Sequence, residues 1–323
     1  MKSKIAYICP ELNIHHSRIL ETLQESFTAQ IYREEKNQNL SKHDFDLVIY
    51  SPLSIDLTGF NFSNSSKLVG ISMAYDLNHE LYKSTNQEKI IDNLKQSDLV
   101  VVDCEHSKST LRKLDYNNEI VVAPYGCDQA IWAESITRDF SKKNFLASRS
   151  WNKIHNNELL FDAISMSQNL QNYEFSFAYP GLSTELRLKE TYMVAMQRIH
   201  FHEMMAQIDL KSYSDNFTFY ISTSISDGSS VSLMEAMSTG MICIVSSFES
   251  NIEWIQDGYN GFIFENNNSE NLMKVLENVV ELDGTTLRRI SKNAVDSLRP
   301  RGDWSYNSKR IMDAMKSING ARP

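Results

Sequence analysis

Residues 226–264 decide the fold, and they read SDGSSVSLMEAMSTGMICIVSSFESNIEWIQDGYNGFIF. The pattern predicts a loop of small residues, a helix, a buried strand, and then a second loop and helix. Asp227 and Glu235 bracket the first loop and the start of its helix. Backbone N–H groups point out of a helix N-terminus, and carboxylate oxygens accept hydrogen bonds from hydroxyl groups. The stretch therefore predicts a site for an anionic or polyhydroxylated ligand.

Short apolar runs and helical patterns alternate in the same way along the rest of the chain. We predict strands at 5–9, 46–50, 67–72, 98–104, 119–124, 144–148, 173–180, 216–222 and 241–247. We predict helices at 19–27, 88–94, 106–114, 159–164, about 185–210, around Glu235, and at 270–282, 285–297 and 308–318. This alternation predicts two doubly wound, Rossmann-like α/β domains joined near residue 128. Such sheets bind ligands beyond the carboxyl ends of their strands.

Composition narrows the class of protein. The chain has 323 residues, 41% of them hydrophobic and 23% charged, which is ordinary for a globular protein with a sizeable core. A net charge of −9 argues against broad binding to nucleic acid or anionic lipid, although a local basic patch stays open. The chain has four cysteines, Cys9, Cys104, Cys127 and Cys243, and none of them forms a C-x-x-C pair. We therefore expect neither disulfide bonds nor a zinc site.

The sequence predicts a protein without a targeting or membrane-spanning segment. Its start, MKSKIAYICPELNIHH, lacks the apolar region of a signal peptide. No apolar run approaches the roughly 20 residues that a membrane span needs. We therefore expect a cytoplasmic location, with peripheral membrane contact left open.

A second informative motif is ASRSWNKIHNNELLFDAI, residues 147–164. Arg149 and Lys153 follow a predicted strand and precede a predicted helix. Cations at that place suit a leaving group that gains negative charge as its bond breaks. The alternative is a pair of solvated basic side chains.

Together these motifs resemble family 4 of the retaining glycosyltransferases. That family has two glutamates separated by seven residues, then Ala-Met-x-x-Gly and a valine-rich strand. Asp227 stands here for the first glutamate, and the other matching positions are Glu235, Ala236, Met237 and Gly240. The segment WIQDGYNGFIF is similar to a later signature of the family at Asp257, Gly258, Asn260 and Gly261.

The resemblance implies the GT-B fold, with two Rossmann-like domains facing across a cleft. The acceptor-side domain would span 1–128 plus a terminal helix at about 305–323, and the donor-binding domain would span 129–304. The implied activity is retaining, metal-independent transfer of a hexosyl group from a nucleoside-diphosphate sugar to a hydroxyl of a glycan or glycoconjugate. No further cofactor is expected. The donor base and sugar, the acceptor and the oligomeric state stay open.

The resemblance also implies roles for the donor site. Arg149 and Lys153 would hold the diphosphate, with a spacing one residue shorter than usual. Glu235 would bind the ribose hydroxyls, and Asp227 would meet the hydroxyls of the donor sugar. The backbone facing that sugar would belong to Gly228, Ser229, Ser230 and Val231. The alternatives are that Glu235 compensates a helix dipole and that Asp227 caps its loop.

Acceptor-side residues are less well defined. The first strand–helix loop, PELNIHHSR, carries His15 and His16 where the family usually has glycines. They are either acceptor ligands or surface histidines. The loop MAYDLNHELY offers Asp76 as a catalytic candidate and His79 as a weaker acceptor-side candidate.

Two further motifs predict no metal site. DFD, residues 44–46, resembles the D-x-D motif of the other glycosyltransferase fold, but it precedes a strand, so we predict a solvated entry to that strand. HFH, residues 200–202, lies in a predicted helix, where residues two apart do not share a face. Two alternative functions stay open: a nucleotide-sugar epimerase or phosphorylase of the same fold, and a non-catalytic, transferase-like partner subunit.

Overall fold

The structure is a computed structural model. It describes residues 3–33, 38–39, 45–58, 60–63, 65–78, 81, 84–132, 138–193 and 195–320. The chain divides into two compact units: one comprises Met1–Tyr125 and Trp304–Pro323, and the other comprises Gly126–Asp303.

The strands, in chain order, are β1 Lys4–Ile8, β2 Thr28–Tyr32, β3 Gln38–Asn39, β4 Leu47–Tyr50, β5 Phe60–Asn61, β6 Lys67–Ile71, β7 Leu99–Val102, β8 Glu119–Val122, β9 Asn144–Ala147, β10 Glu174–Ala178, β11 Ile199–His202, β12 Phe219–Ser222, β13 Ile242–Ser246 and β14 Phe262–Phe264. The α-helices are α1 Ile14–Ser26, α2 Tyr75–Asn78, α3 Ser84–Gln96, α4 Glu105–Lys113, α5 Glu158–Met166, α6 Leu182–Thr191, α7 Gln207–Ser214, α8 Val231–Ser238, α9 Glu249–Ile252, α10 Ser269–Val280, α11 Gly284–Leu298 and α12 Trp304–Ile318.

The first unit is built on a parallel sheet with the strand order β2-β1-β4-β6-β7-β8, and β3 pairs with β5 beside it. Its inner strands are apolar on both faces; every residue of β4 and β7 is buried. This is the pattern of a sheet covered by helices on both sides. β2 lies on one side of β1, and β4 and the strands after it lie on the other side. The switch point of this sheet therefore lies between β1 and β4.

The last helix of the chain belongs to the first unit. Its apolar face, Ile311, Met312, Ala314 and Met315, is buried, and α12 contacts α1, β7 and β8. Arg310 Nη1 also donates to the carbonyl of Val122, at 2.7 Å.

The second unit contains a parallel sheet with the order β11-β10-β9-β12-β13-β14. β10 and β11 lie on one side of β9, and β12, β13 and β14 lie on its other side. The switch point therefore lies between β9 and β12. Phe145 of β9 stacks on Phe175 and Phe219 of its two neighbours, at 4.5 and 4.7 Å between ring centroids. The prediction of two doubly wound parallel α/β sheets is confirmed.

Several elements differ from the sequence-based expectation; the strands β3, β5 and β14 were not predicted, and two further differences are informative. The helical region predicted over about 185–210 is confirmed at its two ends, which lie in α6 and α7, and is wrong between them, where the chain forms the edge strand β11. Phe175 of β10 pairs with Ile199 of β11, so sheet pairing overrides the local helical pattern. The strand β2 was not predicted; its side chains are mostly exposed at the sheet edge and lack an apolar run.

Candidate donor site

The predicted donor residues come from two adjacent loops of the second unit. Arg149 follows β9, and Asp227 follows β12, the strand that pairs with β9. The strands are parallel, so both loops leave the same edge of the sheet, at its switch point. Arg149 Nη2 lies 2.6 Å from Asp227 Oδ2, with 19% of the arginine side chain and 24% of the aspartate side chain exposed. The ion pair therefore stays within reach of a ligand.

Local hydrogen bonds fix the Asp227 loop. The second carboxylate oxygen, Oδ1, accepts from the backbone N–H of Gly228 at 2.9 Å. The Ser250 hydroxyl, from the short helix α9, donates to the Asp227 carbonyl at 2.7 Å. The residues after it, Gly228, Ser229 and Ser230, are buried. The aspartate thus combines the loop-capping role that was one alternative with a carboxylate directed at Arg149.

Arg149 has two further partners. Its Nη1 donates to Ser232 Oγ on the first turn of α8, at 3.3 Å. The Ser232 hydroxyl also shares a 2.8 Å hydrogen bond with the Tyr220 hydroxyl. Arg149 Nη2 lies 2.6 Å from His155 Nε2. Because a guanidinium group has five N–H donors in a rigid plane, these contacts hold the cation in one orientation.

His155 is fixed from several sides. Its Nδ1 lies 2.8 Å from the carbonyl oxygen of Ser150, and its backbone N–H donates to Asn152 Oδ1 at 2.8 Å. Burial lowers the pKa of His155 below the ordinary value for histidine, and the Arg149 guanidinium lowers it further. The Ser150 carbonyl and the Asp227 carboxylate oppose this shift.

Helix α8 places Glu235 close to this cluster. Ser230 caps the helix N-terminus by accepting from the N–H of Leu233, at 3.4 Å. At the other end, Gly240 has a φ of +73°. The adjoining N–H of Met241 donates to the Ala236 carbonyl at 3.0 Å, as in a Schellman motif. The Ala-Met-x-x-Gly sequence therefore ends this helix in a left-handed turn.

Glu235 is 8% exposed on α8. It lines a small cavity together with Ser232 and Tyr220, and Trp132 and Leu210 line it as well. Ser232 therefore belongs both to this cavity and to the contacts of Arg149. Ser232 thus connects Arg149, a predicted diphosphate ligand, with the cavity lined by Glu235, the predicted ribose ligand. Val231, which opens the helix, is half-buried.

Lys153 lies apart from the ion pair. Its side chain is exposed, and among the described residues it forms no hydrogen bond or ion pair. It lines a pocket of about 480 Å³ with Trp151, Glu158, Thr184 and Arg187, among others. The side chain of His155, in the same loop, contacts the Arg149 guanidinium. The role of Lys153 as a diphosphate ligand stays a prediction.

The DGYNG signature builds a turn. Asn260 is 3% exposed; its Oδ1 accepts from the N–H of Gln256 at 2.7 Å, and its Nδ2 donates to the Trp254 carbonyl at 2.9 Å. The N–H of Gly258 donates to the carbonyl of Gly261 at 2.8 Å. These contacts within the turn are enough to explain the asparagine and the glycines at these positions, and no bound ligand is needed to explain them.

The acceptor-side histidines lie at the switch point of the first unit. His16 is buried, with Nδ1 2.7 Å from the Glu11 carbonyl and Nε2 3.2 Å from the hydroxyl of Ser51, which follows β4. Burial lowers the pKa of His16. His15 is half-buried, and its ring lies 4.5 Å from that of Tyr125. Of the two, His15 is the more accessible, and acceptor contact stays a prediction for both.

Asp76 is fully buried at the start of α2. Its oxygens accept from the N–H groups of Leu53 and Leu77, at 2.8 and 2.9 Å, and from the Ser72 hydroxyl, at 2.6 Å. Burial raises the pKa of Asp76, and these hydrogen bonds oppose the shift. This arrangement favours a loop-organising role over the predicted catalytic one. His79 lies outside the described residues.

One residue from each motif weighed as a metal site, Asp46 and His200, contacts groups of the protein itself. Asp46 Oδ2 accepts from the N–H of Lys4 at 2.8 Å, and Asp44 lies outside the described residues. HFH lies on β11 and not on a helix, so His200 and His202 share one strand face; His200 Nε2 lies 2.5 Å from Glu174. No cluster of three or more His, Cys, Asp or Glu within the described ranges could hold a metal ion. Metal independence stays a prediction.

Sequence reasoning missed the residues that surround the ion pair. His155, Ser232 and Tyr220 complete the cluster around Arg149. His155 stood within the quoted motif, and its polar, titratable side chain two residues after Lys153 was the available signal. Ser232 and Tyr220 carried no signal, because serine and tyrosine are common in helices and strands.

Comparison with known proteins agrees with this architecture. Residues 136–296 match the model of the family described as glycosyl transferases group 1. Alr3699/HepE from Anabaena, solved with UDP, superposes with a TM-score of 0.80 at 15% identity over 98% of this chain and 100% of that one. Sucrose-phosphate synthase from Thermosynechococcus elongatus gives a TM-score of 0.82 at 12% identity, covering 99% and 100% of the two chains. A glycosyltransferase from Rickettsia africae gives 0.74 at 14% identity, with 98% of both chains covered.

The chain has the GT-B fold, which confirms the predicted fold class. The match to the model of the glycosyl transferases group 1 family lies within its second unit. Comparison with curated protein sequences gives no match. None of the helices within the described segments is both long and apolar enough to cross a bilayer.

Proposed function

We propose that the protein is a retaining glycosyltransferase that moves a hexosyl group from a nucleoside-diphosphate sugar to a hydroxyl acceptor, a glycan or glycoconjugate. The observation that carries this proposal is the Arg149–Asp227 ion pair at the switch point of the second sheet, beside Glu235. A switch point is where doubly wound sheets bind nucleotides. Structures of Alr3699/HepE hold UDP, or UDP with glucose, or UDP-glucose, which supports a nucleotide-sugar donor here.

The charges suit departure of a diphosphate. As the glycosidic bond breaks, negative charge grows on the diphosphate oxygens, and a fixed guanidinium beside them stabilises that charge. Asp227 holds Arg149 in place and presents a carboxylate to the hydroxyls of the donor sugar. Glu235 accepts hydrogen bonds from the ribose hydroxyls. Backbone N–H groups at the start of α8 add partial positive charge.

The proposed chemistry needs position and charge more than a strong base. The acceptor hydroxyl attacks on the face from which the diphosphate leaves, and a donor phosphate oxygen takes its proton. Holding the donor and the acceptor hydroxyl close together in this orientation contributes by proximity. The product keeps the anomeric configuration of the donor sugar.

Two measurements test the proposal. Melting temperatures are recorded with UDP-glucose, GDP-mannose, ADP-glucose and TDP-glucose, since a ligand that binds the folded state raises stability. The donor that stabilises most is then incubated with a panel of hydroxyl acceptors, and the anomeric configuration of the product is read by NMR. Stabilisation and a product with the donor's configuration are expected. A changed sugar formed without an acceptor would indicate an epimerase, and failure of every donor to bind would refute the proposal.

A further inference from the structure

We propose that His155 supplies the second hydrogen-bond donor to the diphosphate, as an imidazolium that takes up a proton from solvent when the donor binds. The inference rests on the proposed function, because it concerns the same donor site. Its basis is the position of the ring: Nε2 lies 2.6 Å from Arg149 Nη2, in the cluster that also contains Asp227.

The contacts of the ring define its state in the free protein. Nδ1 lies 2.8 Å from the Ser150 carbonyl, which can only accept, and 3.1 Å from the Asn152 amide nitrogen, which can only donate. The shorter contact favours a proton on Nδ1, which then donates to the Ser150 carbonyl. Arg149 Nη2 has no lone pair to offer, so it donates to Nε2, which must be unprotonated. The free protein therefore holds a neutral imidazole whose only unprotonated nitrogen faces the anion site.

The backbone of His155 is also held in place. The His155 N–H donates to Asn152 Oδ1 at 2.8 Å, and the His155 carbonyl accepts from the Thr223 hydroxyl at 2.9 Å. Thr223 follows β12, so the loops on both sides of the switch point fix this residue. A group held in this way loses little freedom when it binds a ligand.

Binding of an anion reverses the electrostatics at Nε2. The charged groups that act on the ring are Arg149 and Asp227; Ser150, Asn152 and Thr223, which also contact this residue, are uncharged. In the free protein, burial and Arg149 hold the pKa of His155 below its ordinary value. A diphosphate neutralises Arg149 and attracts a proton to Nε2, so the pKa rises on binding. Below the raised pKa, Nε2–H donates to a phosphate oxygen.

Lys153 was the other candidate for this place. Its side chain is exposed, and it lines a different pocket with Glu158, Thr184 and Arg187. A lysine is charged at every pH of interest, whereas the histidine is charged only when protonated. The two candidates therefore differ in the pH dependence of donor binding.

The experiment is calorimetric titration of the donor selected by the thermal screen, from pH 6 to pH 8.5. The diphosphate of a nucleotide sugar lacks the ionisation near pH 6 of a phosphate monoester, so its charge is constant over this range. Between the pKa of the free protein and that of the complex, the dissociation constant should rise by up to about tenfold per pH unit. At pH 7, titrations in buffers of different ionisation enthalpy should show uptake of a substantial fraction of one proton.

Variants assign the proton to one residue. His155→Gln should bind more weakly at pH 6.5 and lose the pH dependence. His155→Lys keeps a cation throughout and should bind more tightly than His155→Gln at pH 8.5. Lys153→Gln should retain the pH dependence of the wild type. Melting temperatures check that each variant is folded, and proton uptake by the wild type gives a result that needs no variant.

The outcomes separate this inference from the proposed function. If no nucleotide sugar binds the wild-type protein, the proposed function fails, and the role of His155 fails with it. If a donor binds without pH dependence or proton uptake, only the role of His155 is overturned. It is also overturned if Lys153→Gln, and not His155→Gln, weakens binding.

Discussion

Arg149 and Asp227, 78 residues apart in sequence, meet with 2.6 Å between Nη2 and Oδ2. Each lies in the loop that follows one of two adjacent parallel strands, β9 and β12. The pair brings the basic motif and the acidic motif of the sequence into one site. It also keeps the guanidinium oriented before any ligand binds, so that little reorganisation is needed when the diphosphate leaves.

Removal of the cation should affect turnover more than folding. We expect Arg149→Ala to lower kcat by a factor of about a hundred or more, the scale for losing a transition-state stabiliser. Arg149→Lys should also be impaired, because an ammonium group cannot reproduce the planar set of donors. Release of nucleoside diphosphate measures turnover. Arg198→Ala, which breaks the exposed ion pair with Glu174 in the same unit, is the matched control. Unchanged turnover in Arg149→Ala would refute the diphosphate assignment.

Glu235 should determine affinity for the nucleotide. Glu235→Gln should weaken binding of the nucleoside diphosphate by about 1.5–3 kcal/mol, the range for hydrogen bonds to a charged group. Titration calorimetry measures the loss, and Glu281→Gln, an exposed glutamate after α10, serves as the control. The 2′-deoxy nucleotide should lose much affinity for the wild type and little for Glu235→Gln. Equal losses in both proteins would show that Glu235 does not contact the ribose.

Asp76 distinguishes a loop-organising role from a catalytic one. Asp76→Asn should lower the free energy of unfolding by about 1–3 kcal/mol, because an amide offers one acceptor oxygen and a buried donor loses its partner. Urea denaturation measures the change. Asp92→Asn, an exposed residue of α3, should stay within about 0.5 kcal/mol of the wild type. A drop in kcat with unchanged stability would support catalysis instead.

The terminal helix should contribute to the core of the first unit. Met315 is fully buried on α12, so Met315→Ala should cost about 2–5 kcal/mol in the free energy of unfolding. Asp313→Ala, at an exposed position on the same helix, should cost little. Thermal and urea unfolding compare the two. Similar, small effects at both positions would mean that the packing of α12 contributes nothing.

Most of the fold could be predicted because buried parallel strands are read directly from short apolar runs. β7 and β13, whose residues are all buried, were predicted to within two residues at each end. The edge strands β2 and β11 were not predicted. Their side chains are partly exposed, and their conformation depends on pairing with β1 and β10, which local sequence does not report.

The residues of the candidate site were chosen only where motifs mark them. Arg149 and Asp227 were selected from the sequence, and the structure joins them in an ion pair. Glu235 was also selected, and it lines a cavity with Ser232, a partner of Arg149.

His155 was not selected, because its contact with Arg149 depends on the path of the loop between them. The spacing of the two residues in sequence does not give that path. Asp76 shows a second limit, since a carboxylate looks the same in sequence whether it faces a ligand or its own backbone.

The most direct test is a crystal structure of the protein with its selected nucleotide sugar. The account predicts diphosphate oxygens within about 3.2 Å of the Arg149 guanidinium and of His155 Nε2, the ordinary range for such hydrogen bonds. It also predicts ribose hydroxyls on the Glu235 carboxylate and the donor sugar beside Asp227. A nucleotide bound elsewhere, or one that leaves the Arg149–Asp227 pair and Glu235 without ligand contacts, would contradict the account.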